Sequence, residues 1–364
     1  TSHQYCKFGN HKIMEKQQHF LIVGAGVAGL CIGKQLLDLN QRVTIIDNDQ
    51  NVSTNIAAGM INPIVFRRMT KSWRVDEFLP FAKNFYSNFG AEWGGKIFHE
   101  ITIRRMFSSQ QEADFWLDKQ SKPEFSAYLT PLSEEDLNFD KAINDFGSGR
   151  VKNSAYIAAI PFVEGAKNWF ETRNALIKES FDYSALNPST GEYNNIRYDG
   201  IIFCEGVAIQ NNPWFSSLPI NPTKGEILTI KASGIPENES LNRKCFVLPM
   251  GESSFRIGST YQWNTYNTVP TKEGADEITA NFRFLSKEPI AIIDHHAGIR
   301  PTILDRRPVM GAHEKYSNLF VFNGLGAKGY LLAPFLAGEF VAHLLNGVPI
   351  DKEMSVQRFT KPNA

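Results

Sequence analysis

The chain has 364 residues, enough for two domains, and 42% of them are hydrophobic, so a sizeable core is expected. Lys plus Arg and Asp plus Glu balance at 38 each, so no net positive charge favours a nucleic acid or an anionic membrane surface, and a nucleic-acid partner is disfavoured. Cys6, Cys31, Cys204 and Cys245 are widely spaced with no Cys-x-x-Cys, which argues against a disulfide framework or a metal site and for free thiols in a reducing, cytoplasmic compartment.

Residues 1–13 are polar and unpatterned and read as a flexible leader, with Met14 a candidate natural start. Phe20-Leu-Ile-Val23 is an apolar strand. It enters Gly24-Ala-Gly26-Val-Ala-Gly29, a helical stretch follows, and Val43-Thr-Ile-Ile-Asp47 forms a second strand ending in a carboxylate. This order of parts holds an adenine dinucleotide. Gly24 allows the tight turn, Gly26 lets a pyrophosphate approach the backbone, and Gly29 lets helix and strand pack closely. The helix start offers unsatisfied N–H groups and a positive dipole end to phosphates. Asp47 lies 18 residues after Gly29, within the usual spacing for a carboxylate that accepts from ribose hydroxyls, and it would repel a 2′-phosphate. The uncharged, largely apolar run Phe20–Gly33 spans 14 positions, too short to cross a bilayer, so no membrane span is expected.

After a polar turn, Ile56-Ala-Ala58-Gly59-Met60 concentrates small residues, either to lie against something flat or simply to turn tightly. Residues 75–90 have helical periodicity, 97–107 alternate as a strand, and 112–119 resume a helix. Residues 120–150, rich in Ser, Pro, Asp and Glu, read as surface loops. Phe162–Ser180 reads as a helix, and Gly200-Ile-Ile-Phe-Cys204-Glu-Gly206 as a buried strand ending in glycine. Strands over 226–231, 244–248 and 254–259 form an antiparallel meander, followed by a helix over 275–285.

The strand over 290–299 runs into Arg300-Pro301. An arginine there needs an anionic partner, either a substrate carboxylate gripped bidentately or a structural acid. His296, four residues earlier, shares its face; it either lines a pocket or packs as a satisfied histidine, and His295 faces the other way. Leu319–Asn323 is another strand, leading through Gly324-Leu-Gly326-Ala-Lys328-Gly329-Tyr330 into a helix that stops at Asn346-Gly347. This second glycine turn is either structural or presents amides at Lys328–Leu331 to an electron-rich edge such as flavin N1 and the C2 carbonyl.

The overall pattern is α/β with mixed α+β character: a Rossmann-like dinucleotide-binding domain of discontinuous segments, with an inserted antiparallel-sheet domain. The expected bounds are 14–75, 150–212 and 295–364 for the first, and 76–149 and 213–294 for the second.

Five places together resemble the D-amino acid oxidase family of flavoproteins, which includes glycine oxidase and sarcosine oxidase. They are Gly24/Gly26/Gly29 with Asp47; Ala57-Ala58-Gly59-Met60; Lys224-Gly225-Glu-Ile-Leu; Gly298-Ile-Arg300-Pro301 with Asp305-Arg-Arg-Pro308-Val-Met-Gly311; and Gly324–Pro334. The last also resembles the oxidase domain of the bifunctional tRNA wobble-uridine modifying enzyme. The resemblance implies FAD and oxidation of a C–N bond in an amino acid or N-substituted amine. It implies that the Rossmann-like domain is an FAD-binding domain and the inserted antiparallel-sheet domain a substrate domain. Hydride would pass to flavin N5, the imine would hydrolyse, and oxygen or another acceptor would reoxidise the flavin. It implies cofactor contacts at Gly24, Gly26, Gly29, Asp47, Ala58, Gly59, Met60, Gly206, Gly326, Lys328, Gly329 and Tyr330. Arg300, Lys328 and His296 are the catalytic candidates, and Arg300, Met60 and Phe246 the substrate contacts. Where relatives carry a tyrosine for the substrate carboxylate this chain has Phe246, which argues against glycine as substrate. No cysteine corresponds to a flavin attachment point, so non-covalent FAD is expected. A 2-hydroxy acid and a tRNA-borne amine are the alternative substrates.

Overall fold

The computed structural model describes residues 17–50 and 53–359. The leader over 1–13, Met14 and Cys6 lie outside the described residues. The chain divides into two compact units. The first takes residues up to Thr54, Val163–Pro222 and from Arg300 onward; the second takes Asn55–Phe162 and Thr223–Ile299. Residues 55–75, 150–162 and 295–299, expected with the nucleotide-binding segments, therefore cluster with the second unit, and 213–222 with the first. The reason is strand pairing. Met60–Ile61 pairs with Ala155–Ile157, which pairs with Phe98–Glu100, so the segment after the first turn is drawn into the second unit.

The first unit is built on a six-stranded sheet in the order Leu176–Lys178, Arg42–Asp47, His19–Val23, Gly200–Phe203, Leu319–Asn323, Val309–Ala312. The first five are parallel and the last is antiparallel. The central strands carry continuous apolar runs because both faces are covered: Leu21, Ile22, Ile201, Ile202 and Val321 are all fully buried. The Val27–Asp38 helix buries Leu30, Cys31, Ile32 and Leu36. The C-terminal helix, Gly329–Asn346, ends at Gly347, whose φ of 66° is the left-handed cap the Asn-Gly pair predicts. The helix read over 162–180 is instead a helix at Ala159–Glu171 and a separate strand at Leu176–Lys178. Asn174, at φ 54°, makes the break that frees the strand to join the parallel sheet.

The second unit carries a sheet in the order Gln262–Trp263, Ile220–Ala232, Ser254–Gly258, Cys245–Gly251, Glu239–Arg243, Thr102–Met106, Ser148–Val151, with Ile290–Ile303 also paired to Ile220–Ala232. The strands over 226–259 are antiparallel as expected but do not form a meander: Ser254–Gly258 lies between Ile220–Ala232 and Cys245–Gly251, and Glu239–Arg243 runs parallel to Thr102–Met106. The strand read over 97–107 is two strands that belong to different sheets. The stretch 120–150 is not all surface loop. Asp136, 1% exposed, receives Arg104 Nη1 at 2.9 Å, and Glu239 receives Arg104 Nε at 2.7 Å. That buried arginine needs its acids, and local polarity gave no sign of it.

Candidate cofactor and substrate site

In the first unit, the Gly24–Gly29 turn sits where the His19–Val23 strand passes into the Val27–Asp38 helix. Each glycine answers a specific neighbour. A Cβ on Gly29 would lie 2.0 Å from the Gly24 carbonyl oxygen, and one on Gly24, at φ 104°, 2.5 Å from the Cys204 carbonyl oxygen. Gly26 differs: among the described residues a Cβ there would meet only Thr54 Oγ1, at 3.2 Å, the hydroxyl end of a side chain and not backbone. Two glycines closed by backbone and one without a backbone neighbour at the helix start are residues that fit the pyrophosphate of an adenine dinucleotide.

Asp47 stands beside this turn. Its Oδ1 accepts the Ala25 amide at 2.9 Å and its Oδ2 receives Lys167 Nζ at 2.6 Å. Its Oδ2 also accepts the Asp49 amide at 3.3 Å, so the carboxylate is held in one orientation and keeps one lone-pair site, on Oδ1, for a ligand's hydroxyl. Lys167 also pairs with Asp49, and these acids raise its pKa against the cost of burial. Nothing in the sequence spacing pointed to Lys167, because it comes from a helix 120 positions later.

The ends of neighbouring strands complete the rim. Gly206 has φ 55°, and its carbonyl accepts Asn323 Nδ2 at 2.8 Å. Glu205, next to it, is 8% exposed; Tyr183 Oη donates to Oε1 and Asn212 Nδ2 to Oε2, the latter at 2.8 Å. Burial lifts its carboxyl to about 7 in spite of both hydrogen bonds. Tyr330 Oη donates to the Thr54 carbonyl at 2.9 Å, and Thr54 Oγ1 accepts the Val27 amide at 3.2 Å, so the start of one helix is tied to the start of the other.

The second glycine turn also lies in the first unit. Gly324 and Gly326 have φ of 74° and 56°. Lys328 is pushed down to about 8, by desolvation first and by the Arg306 cation second. Its side chain still meets water, so the ammonium is loosened, not abolished. Arg300 is half-buried on the Ile290–Ile303 strand. Strand alternation puts it on the same face as Thr302, and Thr302 Oγ1 is the atom that faces Gly326.

The remaining candidates fall in the second unit. Gly59 is required by its φ of 72° and by the Ile157 carbonyl oxygen, which a Cβ would approach to 2.1 Å. Met60 pairs with Tyr156 across the small sheet, and Tyr156 stacks on His99 with ring centroids 4.8 Å apart. Sequence reasoning missed Arg256, whose Nη1 donates to the Ala57 carbonyl at 3.0 Å and whose Nη2 donates to that of Ile56, clamping the backbone that leads to Ala58. Phe246 is half-buried opposite Gly258. His296 is exposed and pairs with Asp294 at 2.7 Å; its neighbour His295 is the one that reaches the buried Glu226, at 2.8 Å.

The model of the DAO family, FAD dependent oxidoreductases, matches residues 19–344. The chain belongs to this family. It is therefore an FAD-dependent oxidoreductase. Among DAO-family relatives, it is 22% identical over 364 aligned residues to the glycine oxidase of Pseudomonas putida, covering 93% of this chain and 96% of that protein. It is also 22% identical to the bifunctional tRNA 5-methylaminomethyl-2-thiouridine biosynthesis protein MnmC of Acinetobacter baylyi, over 95% of this chain but only 56% of that protein. Its fold is similar to glycine oxidase from Geobacillus kaustophilus, with a TM-score of 0.75 at 17% identity over 92% of this chain and 96% of that one. Iminodiacetate oxidase from Chelativorans sp. BNC1 gives the same TM-score at 19% identity, over 94% and 98%. No helix among the described residues is long and apolar enough to cross a membrane.

Proposed function

We propose that this flavoprotein oxidises the C–N bond of a carboxylated amine, an amino acid or an N-substituted one, with FAD held non-covalently. The observation that carries the reading is the position of Arg300. It is a half-buried cation, two residues from Thr302 on the same strand face, on the side that meets the second glycine turn. A fixed guanidinium fork there grips a carboxylate bidentately and orients the carbon next to it.

When bound, FAD supplies a two-electron acceptor for the C–H bond beside the amine nitrogen, and the resulting imine hydrolyses in water to a carbonyl and an amine. The chain's own contribution is geometry and field. Gly24, Gly26 and Gly29 make room for the pyrophosphate, and Asp47 fixes the ribose. The amides at the start of the Gly329–Asn346 helix direct positive potential at the flavin's pyrimidine edge, helped by the Lys328 and Arg306 cations. Ala58, Gly59 and Met60, clamped through Arg256, are proposed to contact the flavin, with Met60 and Phe246 facing substrate.

Phe246 offers no hydroxyl to a carboxylate. This supports an N-substituted or side-chain-bearing amino acid over glycine itself, the substrate for which the Pseudomonas putida relative is named. The test is anaerobic bleaching of the flavin against a panel of N-alkyl glycines, D- and L-amino acids, simple amines and 2-hydroxy acids. Bleaching by carboxylated amines with release of ammonia or an amine is expected. Bleaching by 2-hydroxy acids alone would overturn the C–N assignment. Flavin that stays with acid-precipitated protein would overturn the non-covalent one.

A further inference from the structure

We propose that the Thr302 hydroxyl is a positioning donor to the pyrimidine edge of the bound flavin, adding a side-chain hydrogen bond to the backbone amides of the second glycine turn. Thr302 is 5% exposed, and its Oγ1 has no hydrogen-bond partner among the described residues. Buried hydroxyls in native proteins are seldom left so, and one that is calls for a partner from outside the chain, a bound water or a ligand.

The surroundings indicate which ligand. Among the described residues, chain neighbours aside, the only heavy atom within 4 Å of a Cβ placed on Gly326 is Thr302 Oγ1, at 3.9 Å. The bare face of that glycine and the unpaired hydroxyl therefore border the same open space. The same turn leads into the N-terminus of an 18-residue helix, and the Lys328 and Arg306 cations stand close enough to repel each other's charge. Oriented amides, two cations and a lone hydroxyl make a setting for an electron-rich group. The edge of a flavin that carries carbonyl oxygens, and gains negative charge on reduction, has that character. All these residues lie in the first unit. The inference rests on the family's FAD and needs no substrate.

The test uses the full chain with Thr302→Val and Thr302→Ser. FAD affinity is measured by flavin fluorescence, the midpoint potential by equilibration with a reference dye and a chemical reductant, and apoprotein stability by thermal unfolding. Thr302→Val should raise the FAD dissociation constant about 3- to 10-fold, the loss of one neutral hydrogen bond. It should weaken binding of the reduced form by about threefold more than the oxidised form, which lowers the potential by about 15 mV. Apoprotein stability should hold or rise, because the substitution removes a hydroxyl that has no protein partner. Thr302→Ser should restore affinity and potential. Unchanged affinity and potential in the valine variant would assign the hydroxyl to a bound water and overturn the proposal. A drop in apoprotein stability with unchanged potential would make the residue structural and overturn it equally. Failure of the amine reading looks different: every substrate in the panel would leave wild-type flavin oxidised, while these three measurements would still stand.

Discussion

Glu205 makes the stability of this protein depend on pH in a direction opposite to that of most carboxylates. Its side chain is sealed at the end of the Gly200–Phe203 strand between Tyr183 and Asn212, and burial raises it from 4.5 to about 7. Between those values the folded chain holds a proton that the unfolded chain has given up. Stability is then full below about pH 4.5 and is lost as pH rises through 7. At 1.36 kcal/mol for each factor of ten, the loss is about 3 kcal/mol. Glu205→Gln has no proton to lose. Its amide oxygen can accept from Tyr183, but its NH2 meets the NH2 of Asn212. Asn212 cannot turn over without breaking the bonds from the Trp214 and Phe215 amides to its Oδ1, at 2.9 and 3.1 Å. The variant therefore carries a pH-independent cost of about 1–3 kcal/mol.

The assay is guanidinium unfolding of both apoproteins, followed by tryptophan fluorescence at pH 5, 6, 7 and 8. Wild type should be the more stable at pH 5, and the gap should close by about 3 kcal/mol by pH 8. His19, His99 and His313, all depressed by burial, titrate in both chains and cancel in the difference. Parallel pH profiles for the two chains would show that Glu205 is ionised throughout and refute the reasoning.

Asp47→Ala should leave the fold intact and weaken FAD binding by about 10-fold or more, since charge-assisted hydrogen bonds are worth about 1.5–3 kcal/mol each; titration of apoprotein with FAD checks this, and an unchanged constant would reduce Asp47 to a partner of Lys167. Arg300→Lys should keep FAD and lose about 3 kcal/mol of transition-state binding for carboxylated amines, because a point charge cannot reproduce the fork. Turnover of an amine without a carboxylate is the control, and an equal fall in both would make Arg300 structural. For Lys328, held down to about 8, the cationic form is lost as pH rises through that value, so flavin reduction should slow there. Rapid-reaction kinetics of Lys328→Met should show that alkaline limb removed; an unchanged limb would exclude Lys328 as its source.

The first glycine turn and its helix were legible in the sequence because they are local. Gly24, Gly26 and Gly29 act on one another and on the strand they leave, and Asp47 ends the next strand in the same sheet. The second turn and the C-terminal cap at Gly347 were legible for the same reason. The sequence did not show which groups would be brought to those places from far away. Lys167 on Asp47, Arg256 on the 56–57 backbone, Asn212 and Tyr183 around Glu205, and Thr302 facing Gly326 join positions that no short-range pattern links. Residues 295 and 296 show the limit most plainly. Alternation puts the two histidines on opposite faces, but only the tertiary structure decided that His295 meets the buried Glu226 while His296 stays in water with Asp294. Backbone geometry follows from each residue's own sterics and its near neighbours, and so it can be read from the chain. Burial and charge pairing are set by whatever each unit packs alongside, and those were decided only by its tertiary structure.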